Sequence, residues 1–248
     1  MSTELTEVAT EWTPYLQRYR SGEWRDRIFR DMIAEDARRL GKFPTILDIG
    51  CGHGFDGSAS LQRSLAELAG HCIGVEPDPY VPLADDFHET HRTVFEQAPI
   101  RPGSVDLAFS VMVLEHLPAP QAFWDKLWES LHEGGVFWAM TVDGRHPFAR
   151  VSRWADRLRL KTLYLNLLYG ARGSERYEDY PVYYRTNTPE QVRRFATQFR
   201  SVDLINFSRI GQWSPYLPKA LRPLADQWDR RTIRQGGPGT LLLIRAEK

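Results

Sequence analysis

Apolar residues come along this chain in short dense runs, set apart by stretches where they recur every three or four positions. Residues 4–41 are of the second kind. Trp24, Ile28, Phe29, Met32, Ile33 and Leu40 fall at helical spacing among charges, which predicts amphipathic helices ending near Gly41. TILDIG (45–50) reads as a short buried strand, FDGSASLQRSLAELAG (55–70) as a helix stopped by Gly70, and HCIGVEP (71–77) as a second strand. PYVPLADDFHETH (79–91) opens with two prolines and can then turn helical, and HRTVFEQ (91–97) is a weaker third strand. SVDLAFSVMV (104–113) is a fourth strand, AFWDKLWESLHEGG (122–135) a helix with a glycine stop, and GVFWAMTVD (135–143) a fifth strand.

This alternation, with strands apolar along their whole length, predicts an α/β fold: a parallel sheet covered on both faces. Further on, TPEQVRRFATQF (188–199) carries a helix start, with Thr188 to cap, Pro189 in the first turn and Glu190 at the positive end. RSVDLINFSRI (200–210) and GTLLLIRAEK (239–248) are strands, joined by the Pro-rich connection SPYLPKALRPLADQW (214–228). Two strands after the last helix suggest an antiparallel hairpin attached to the parallel sheet.

Composition narrows the class. The chain has 248 residues, 42% of them hydrophobic, enough for a sizeable core. Its 32 basic and 32 acidic residues cancel, which argues against a nucleic-acid partner or a polybasic membrane binder. The two cysteines, Cys51 and Cys72, make neither a disulfide framework nor a zinc spacing. The start MSTELTEVATEW is polar and acidic, unlike a signal peptide, and no apolar run approaches the roughly 18 residues of a membrane span. A cytoplasmic protein without an integral-membrane part is expected, as a monomer or homodimer. Many aromatics, among them Trp12, Tyr15, Tyr19, Trp24, Tyr180, Tyr183 and Tyr184, lie outside the predicted strands and suggest a lid over an apolar pocket.

The chemistry is concentrated in ILDIGCGHGFDG (46–57). A strand ends at Asp48, and Gly50, Gly52 and Gly54 follow at alternate positions. Open parallel sheets bind ligands at the carboxyl ends of their strands, and glycine lets a backbone approach a ligand without a Cβ clash. Glu76 ends the second strand about 20 residues further on, where an acid can accept hydrogen bonds from ribose hydroxyls. The spacing is G-x-G-x-G and not the G-x-G-x-x-G of pyrophosphate binders. Asp48 before the turn suits a ligand with an ammonium or sulfonium centre and no phosphate.

DIGCGHG (48–54), GVEP (74–77) and SVDLAFSVMVLEHL (104–117) together resemble the class I S-adenosylmethionine-dependent methyltransferases, and most closely their small-molecule, ubiquinone-type branch. The resemblance spans roughly residues 44–142. It implies a Rossmann-like seven-stranded, mostly parallel sheet with the last strand antiparallel, helices on both faces, and helical lid insertions. It further implies one methyltransferase domain over 1–248: an N-terminal helical cap (1–43), a cofactor-binding core (44–143), a lid insertion (144–187), and a C-terminal helix and strands (188–248) with an insertion at 211–237.

Carried over residue by residue, the resemblance puts Asp48, Gly50, Cys51 and Gly52 along the methionine and ribose part of S-adenosylmethionine. Glu76 would hold the ribose hydroxyls, and Pro77 and Asp78 would border the adenine. Val94 stands where relatives place an acid for the adenine amine, so Glu96 or a backbone contact near Phe95 would serve. Val111 and Met112 would lie near the cofactor.

Glu115-His116 follows the fourth strand. His116 is a base candidate facing the transferred methyl, with a structural role in ordering the loop as the alternative, and His146 is a second base candidate. Some relatives hold a divalent metal through a Glu-x-x-Glu-His pattern. Here Met112 occupies the first Glu position, a poor ligand for a hard cation, and no metal is expected. Tyr15, Tyr19, Tyr183, Tyr184 and Arg185 are the candidate acceptor contacts.

The expected activity is methyl transfer from S-adenosylmethionine, with S-adenosylhomocysteine as product, to a small apolar or aromatic acceptor, O-methylation being favoured. The alternatives are a nucleic-acid methyltransferase and a non-methylating protein that uses the cofactor structurally or electrostatically. A basic, Leu-rich segment at 150–168 could also touch a membrane surface.

Overall fold

The structure is a computed structural model that describes residues 10–52, 54–147, 149–150, 180–212 and 217–248. Most of the 144–187 insertion, including the basic segment at 151–168, lies outside the described residues, as do Trp213 and Tyr216. The apolar runs fold as seven strands: β1 (Thr45–Ile49), β2 (His71–Val75), β3 (Glu89–His91), β4 (Val105–Val111), β5 (Leu131–Val142), β6 (Ser201–Phe207) and β7 (Leu241–Glu247). They make one sheet in the order β3-β2-β1-β4-β5-β7-β6. The first five strands pair in parallel, and β7 runs antiparallel between β5 and β6.

The chain leaves β1 toward β2 and β3, then returns to place β4 on the other side of β1. That reversal opens the crevice used by ligands in sheets of this kind, at the carboxyl ends of β1 and β4. The turn that follows β1 is the glycine-rich stretch.

Strand periodicity divides the core. Ile46, Leu107, Phe109, Trp138, Met140, Leu241 and Leu243 face one side and pack with α1 (Thr13–Arg20), α2 (Arg25–Arg39) and α3 (Ala59–Ala66). Leu47, Ala108, Phe137, Ala139, Leu242 and Ile244 face the other and pack with α4 (Pro120–Ser130) and α5 (Pro189–Phe195). Adjacent residues of β7 thus enter different cores, as the two-residue period of a strand requires. One polar hub ties α2 to the sheet. Buried Asp36 accepts from the Trp138 indole at 2.8 Å and from Arg245 Nε at 2.7 Å.

Four elements differ from expectation. The helix expected at 122–135 ends at Ser130, and β5 starts at Leu131 with both glycines inside it. The glycines are held there by the end of the chain: Gly134 N donates to Lys248 O, and Lys248 N to Gly135 O. No helix forms at 79–91, and strand three is Glu89–His91 with a 3-10 turn at Phe95–Gln97 behind it. Within the connection expected at 214–228, α6 begins and runs Arg222–Arg234, with Pro223 in the first turn, where its missing N–H costs nothing. Finally, α3 starts at Ala59, once the Ser58 side chain has accepted from Leu61 N. Among the described residues no helix is long and apolar enough to cross a membrane.

Candidate functional site

The turn after β1 is built from close backbone approaches. Gly50 has φ +80° and donates to Val75 O at 2.8 Å, while Cys51 N reaches the same carbonyl at 3.2 Å. A Cβ on Gly50 would lie 2.4 Å from Val113 Cγ2. Gly52 donates its N–H to Glu76 Oε2 at 3.0 Å, and a Cβ there would lie 2.6 Å from both that oxygen and Val81 Cγ1. Side chains are therefore excluded from the turn on the side facing Glu76 and Val81. His53 lies outside the described residues.

Two acids flank this turn. Asp48, 4% exposed at the end of β1, accepts from Gln62 Nε2 at 2.8 Å. Burial, with a smaller contribution from Glu76, pushes its carboxyl up to about 8 against the hydrogen bond from Gln62. Glu76 is 8% exposed, and its second oxygen accepts from Asp78 N at 2.9 Å. The Cys51 and Cys72 thiols are free and buried, and burial pushes both upward, Cys72 to about 12. The turn is thus acidic and buried, with the Gly50 and Cys51 N–H groups taken by Val75 O and that of Gly52 by Glu76.

The exit of β4 forms the opposite wall. Met112 takes φ +55°, a left-handed conformation that turns the chain out of the sheet, and donates to Met140 O at 2.8 Å. The short turn Leu114–His116 follows. Residues 180–187 then cross over this loop as a strap. Tyr183 N and Tyr184 N donate to Glu115 O, and Arg185 donates to Pro118 O. Trp124 Nε1 donates to Thr186 Oγ1 at 3.0 Å, and Tyr180 donates to Asp78 Oδ2, which ties the strap to the exit of β2. Beneath it runs a buried chain of hydrogen bonds: Asn187 Nδ2 donates to Thr141 Oγ1 at 2.6 Å, and Thr141 donates to Glu115 Oε2 at 2.8 Å. Burial raises the Glu115 carboxyl above the usual carboxylate range.

Most of the candidate residues fall into three groups. Asp48, Gly50, Cys51, Gly52 and Glu76 meet at the glycine turn, with Asp78 one step beyond Glu76 and Pro77 exposed between them. Val111 and Met112 are half-buried at the end of β4, and Glu96 is half-buried on the 3-10 turn after β3. His116 hydrogen-bonds Pro181 O through Nδ1 at 2.8 Å and meets the Tyr180 ring edge-on, 6.0 Å between centroids. Tyr183, Tyr184 and Arg185 belong to the strap, with Tyr183 39% exposed and the Arg185 guanidinium 5.2 Å from its ring centre.

Tyr15 and Tyr19 lie on α1 and belong to none of these groups. Tyr15 donates to Glu35, and Tyr19 is stacked on Phe207 at 3.9 Å with its hydroxyl accepting from Gln212. His146, 2% exposed just past β5, is pushed down to about 4 by burial. A cavity of about 300 Å³ lined by Thr45, His71 and Ser104 opens at the amino ends of the strands, the edge opposite the glycine turn.

Sequence reasoning passed over Gln62, Thr141, Asn187 and the Tyr180–Asp78 contact. Gln62 carried a usable signal, a polar residue next to Leu61 on the inner face of an amphipathic helix that starts from the glycine turn. The other contacts depend on how 180–187 crosses the sheet, which periodicity does not encode.

Comparison with known proteins gives concordant results. A family model described as a methyltransferase domain matches residues 16–174. A tRNA U34 carboxymethyltransferase from Alteromonas mediterranea is 30% identical over 140 residues, covering 49% of this chain and 40% of that protein. The chain spans half or less of the length of the curated relatives it matches. Among solved structures, an S-adenosylmethionine-dependent methyltransferase from Archaeoglobus fulgidus superposes with TM-score 0.57 at 12% identity, covering 96% of this chain and all of that one. A Haemonchus contortus phosphoethanolamine N-methyltransferase solved with S-adenosyl-L-methionine reaches TM-score 0.53 at 13% identity, over 88% of this chain and 52% of that one.

Proposed function

The chain belongs to the methyltransferase-domain family, and from that premise we propose that it transfers the methyl group of S-adenosylmethionine to a small, apolar or aromatic acceptor, at oxygen. The observation that carries this reading is the acidic glycine turn. Asp48 and Glu76 face it without a lysine or arginine partner among the described residues, so a cationic ligand is favoured there and a phosphate is not. The residues fit the group. Gly50 and Gly52 leave a cradle that a Cβ would fill, and the buried Gln62 Oε1 has no hydrogen-bond partner among the described residues.

Asp48, Gly50, Cys51 and Gly52 would hold the aminoacyl and ribose part, Glu76 the ribose hydroxyls, and Pro77, Asp78 and Glu96 the adenine side. Val111 and Met112 would border it from β4. When bound, the cofactor supplies an electrophilic methyl on a sulfonium. The protein's part is to position the acceptor, exclude water and take a proton. His116 suits the last task. Its Nδ1 lies 2.8 Å from the Pro181 carbonyl, which fixes Nδ1 as the N–H and leaves Nε2 as acceptor. His146 suits it poorly, because burial leaves an imidazole near 4 that is too weak a base at neutral pH. Tyr183, Tyr184 and Arg185 close the acceptor side through the strap.

The test is methyl-label transfer from S-adenosylmethionine to a panel of phenolic and other hydroxylated acceptors. His116→Gln is expected to slow transfer about 10²- to 10⁴-fold while leaving cofactor affinity unchanged. A comparable loss in His146→Gln with none in His116→Gln would refute the base assignment.

The resemblance to a tRNA-modifying relative supports a second reading, an RNA acceptor. It requires tRNA binding that weakens steeply with salt, which the balanced charge of the chain does not favour.

A further inference from the structure

Asp48 is buried at the carboxyl end of β1, and its hydrogen-bond donor is a neutral amide, Gln62 Nε2, at 2.8 Å. The groups that act on it directly share its sign or carry no charge, and the cation that the turn feels, Arg92, acts on the Cys51 thiol and donates to Asp78 O at 2.7 Å. From β2 come the Glu76 carboxyl and the Cys72 thiol, from the turn the Cys51 thiol, from α3 the Gln62 amide, and the β4 register sets Phe109 beside it. A carboxylate in such surroundings lacks the compensation that buried charges require.

Gln62 adds a second, independent observation. It is 2% exposed, its Nε2 also lies 3.4 Å from Cys51 O, and its Oε1 is buried without a partner among the described residues. An amide can match both forms of an acid. Its Nε2–H donates to a carboxylate, and after a half-turn its Oε1 accepts from a carboxylic O–H. A lysine in its place would lock Asp48 as the anion and compete with a cationic ligand.

Resting on the reading of the glycine turn as the S-adenosylmethionine site, we propose that Asp48 and Gln62 form a proton-coupled seat for the cofactor. Asp48 is a carboxylic acid before binding, its O–H bond breaks as the cationic ligand arrives, and the proton leaves to the buffer. Gln62 is the positioning residue that hydrogen-bonds Asp48 in both states. The balance is one proton released for one cation taken up. The upward displacement of the Asp48 carboxyl to about 8 agrees with this, since an acid near 8 is neutral at pH 7. The sign is fixed: binding tightens as pH rises toward 8 and weakens as pH falls. With the free acid near 8, the dissociation constant should fall about 50-fold between pH 6 and pH 8.

The experiment is titration calorimetry of the full chain with S-adenosylmethionine, the cationic form, at pH 7 and without an acceptor, in phosphate and in Tris, whose ionisation heats differ. The binding heat should change with buffer in proportion to the release of about 0.9 proton, and Asp48→Asn, isosteric and neutral, should remove that dependence. Gln62→Leu, which takes away the donor, should shift the half-release point to higher pH, whereas a merely structural loss would weaken binding equally at every pH. Binding heat without buffer dependence in the wild type overturns the proposal and leaves the cofactor site standing. Retention of the full dependence in Asp48→Asn also overturns it. No binding heat in either buffer overturns the reading of the site itself.

Discussion

Replacing Thr141 by valine removes one hydroxyl at nearly constant volume. That hydroxyl donates to Glu115 Oε2 at 2.8 Å and accepts from Asn187 Nδ2 at 2.6 Å. Thr141 and Asn187 are fully buried and Glu115 is 5% exposed, so water does not replace the lost partner. A hydrogen bond to a carboxylate contributes about 1.5–3 kcal/mol and a neutral one about 0.5–1.5, so Thr141→Val should cost roughly 2–4 kcal/mol. For a chain of this size that corresponds to a fall of roughly 4–16 °C in Tm.

The pH dependence is a sharper readout. Burial holds the folded Glu115 above its unfolded value, so the native state is disfavoured as pH rises through the folded pKa and the side chain becomes charged. Thr141 offsets part of that cost by donating to the charged form, and the gap between wild type and Thr141→Val should widen from pH 5 to pH 8. Urea unfolding at both values measures it. A difference below about 0.5 kcal/mol at pH 8, within the range of ordinary surface changes, or one no larger there than at pH 5, would refute the reasoning.

Asp36→Ala should destabilise by about 3–5 kcal/mol in the same assay, because it leaves the Arg245 guanidinium and the Trp138 indole N–H buried without their shared acceptor. His146 is held near 4 in the fold and titrates near 6.5 when unfolded, so its contribution is present above 6.5 and lost as pH falls toward 4; His146→Gln should flatten that acid limb. Both thiols should resist alkylation in the native state at pH 8 and react after unfolding, since burial raises Cys51 and Cys72; rapid native labelling of either would contradict this placement.

The sheet was legible wherever a strand is buried on both faces. Ile46, Leu47 and Ile49 in β1 and Phe137, Trp138 and Ala139 in β5 are apolar without alternation because both cores need them. The acidic glycine turn was legible because its residues are close in sequence or one strand apart. What escaped the sequence depends on tertiary partners. Gly134 and Gly135 look like a helix stop, but pairing with Lys248 makes them part of a strand. The prolines at 215, 218 and 223 read as a connection, yet Pro223 opens α6. The Asn187–Thr141–Glu115 chain joins residues 46 and 26 positions apart, beyond any local pattern.

The proposed seat of S-adenosylmethionine is the glycine turn between Asp48 and Glu76. Gly52 is a sensitive position on the face toward Glu76, since a Cβ there would lie 2.6 Å from Glu76 Oε2 and from Val81 Cγ1. Calorimetry of S-adenosylhomocysteine against wild type and Gly52→Val, with folding of both checked by circular dichroism, tests it most directly. Saturable binding by the wild type and at least a hundredfold weaker binding by a folded Gly52→Val is the expected result, a difference of about 2.7 kcal/mol. Equal affinity in the two proteins would place the cofactor elsewhere and contradict the claim.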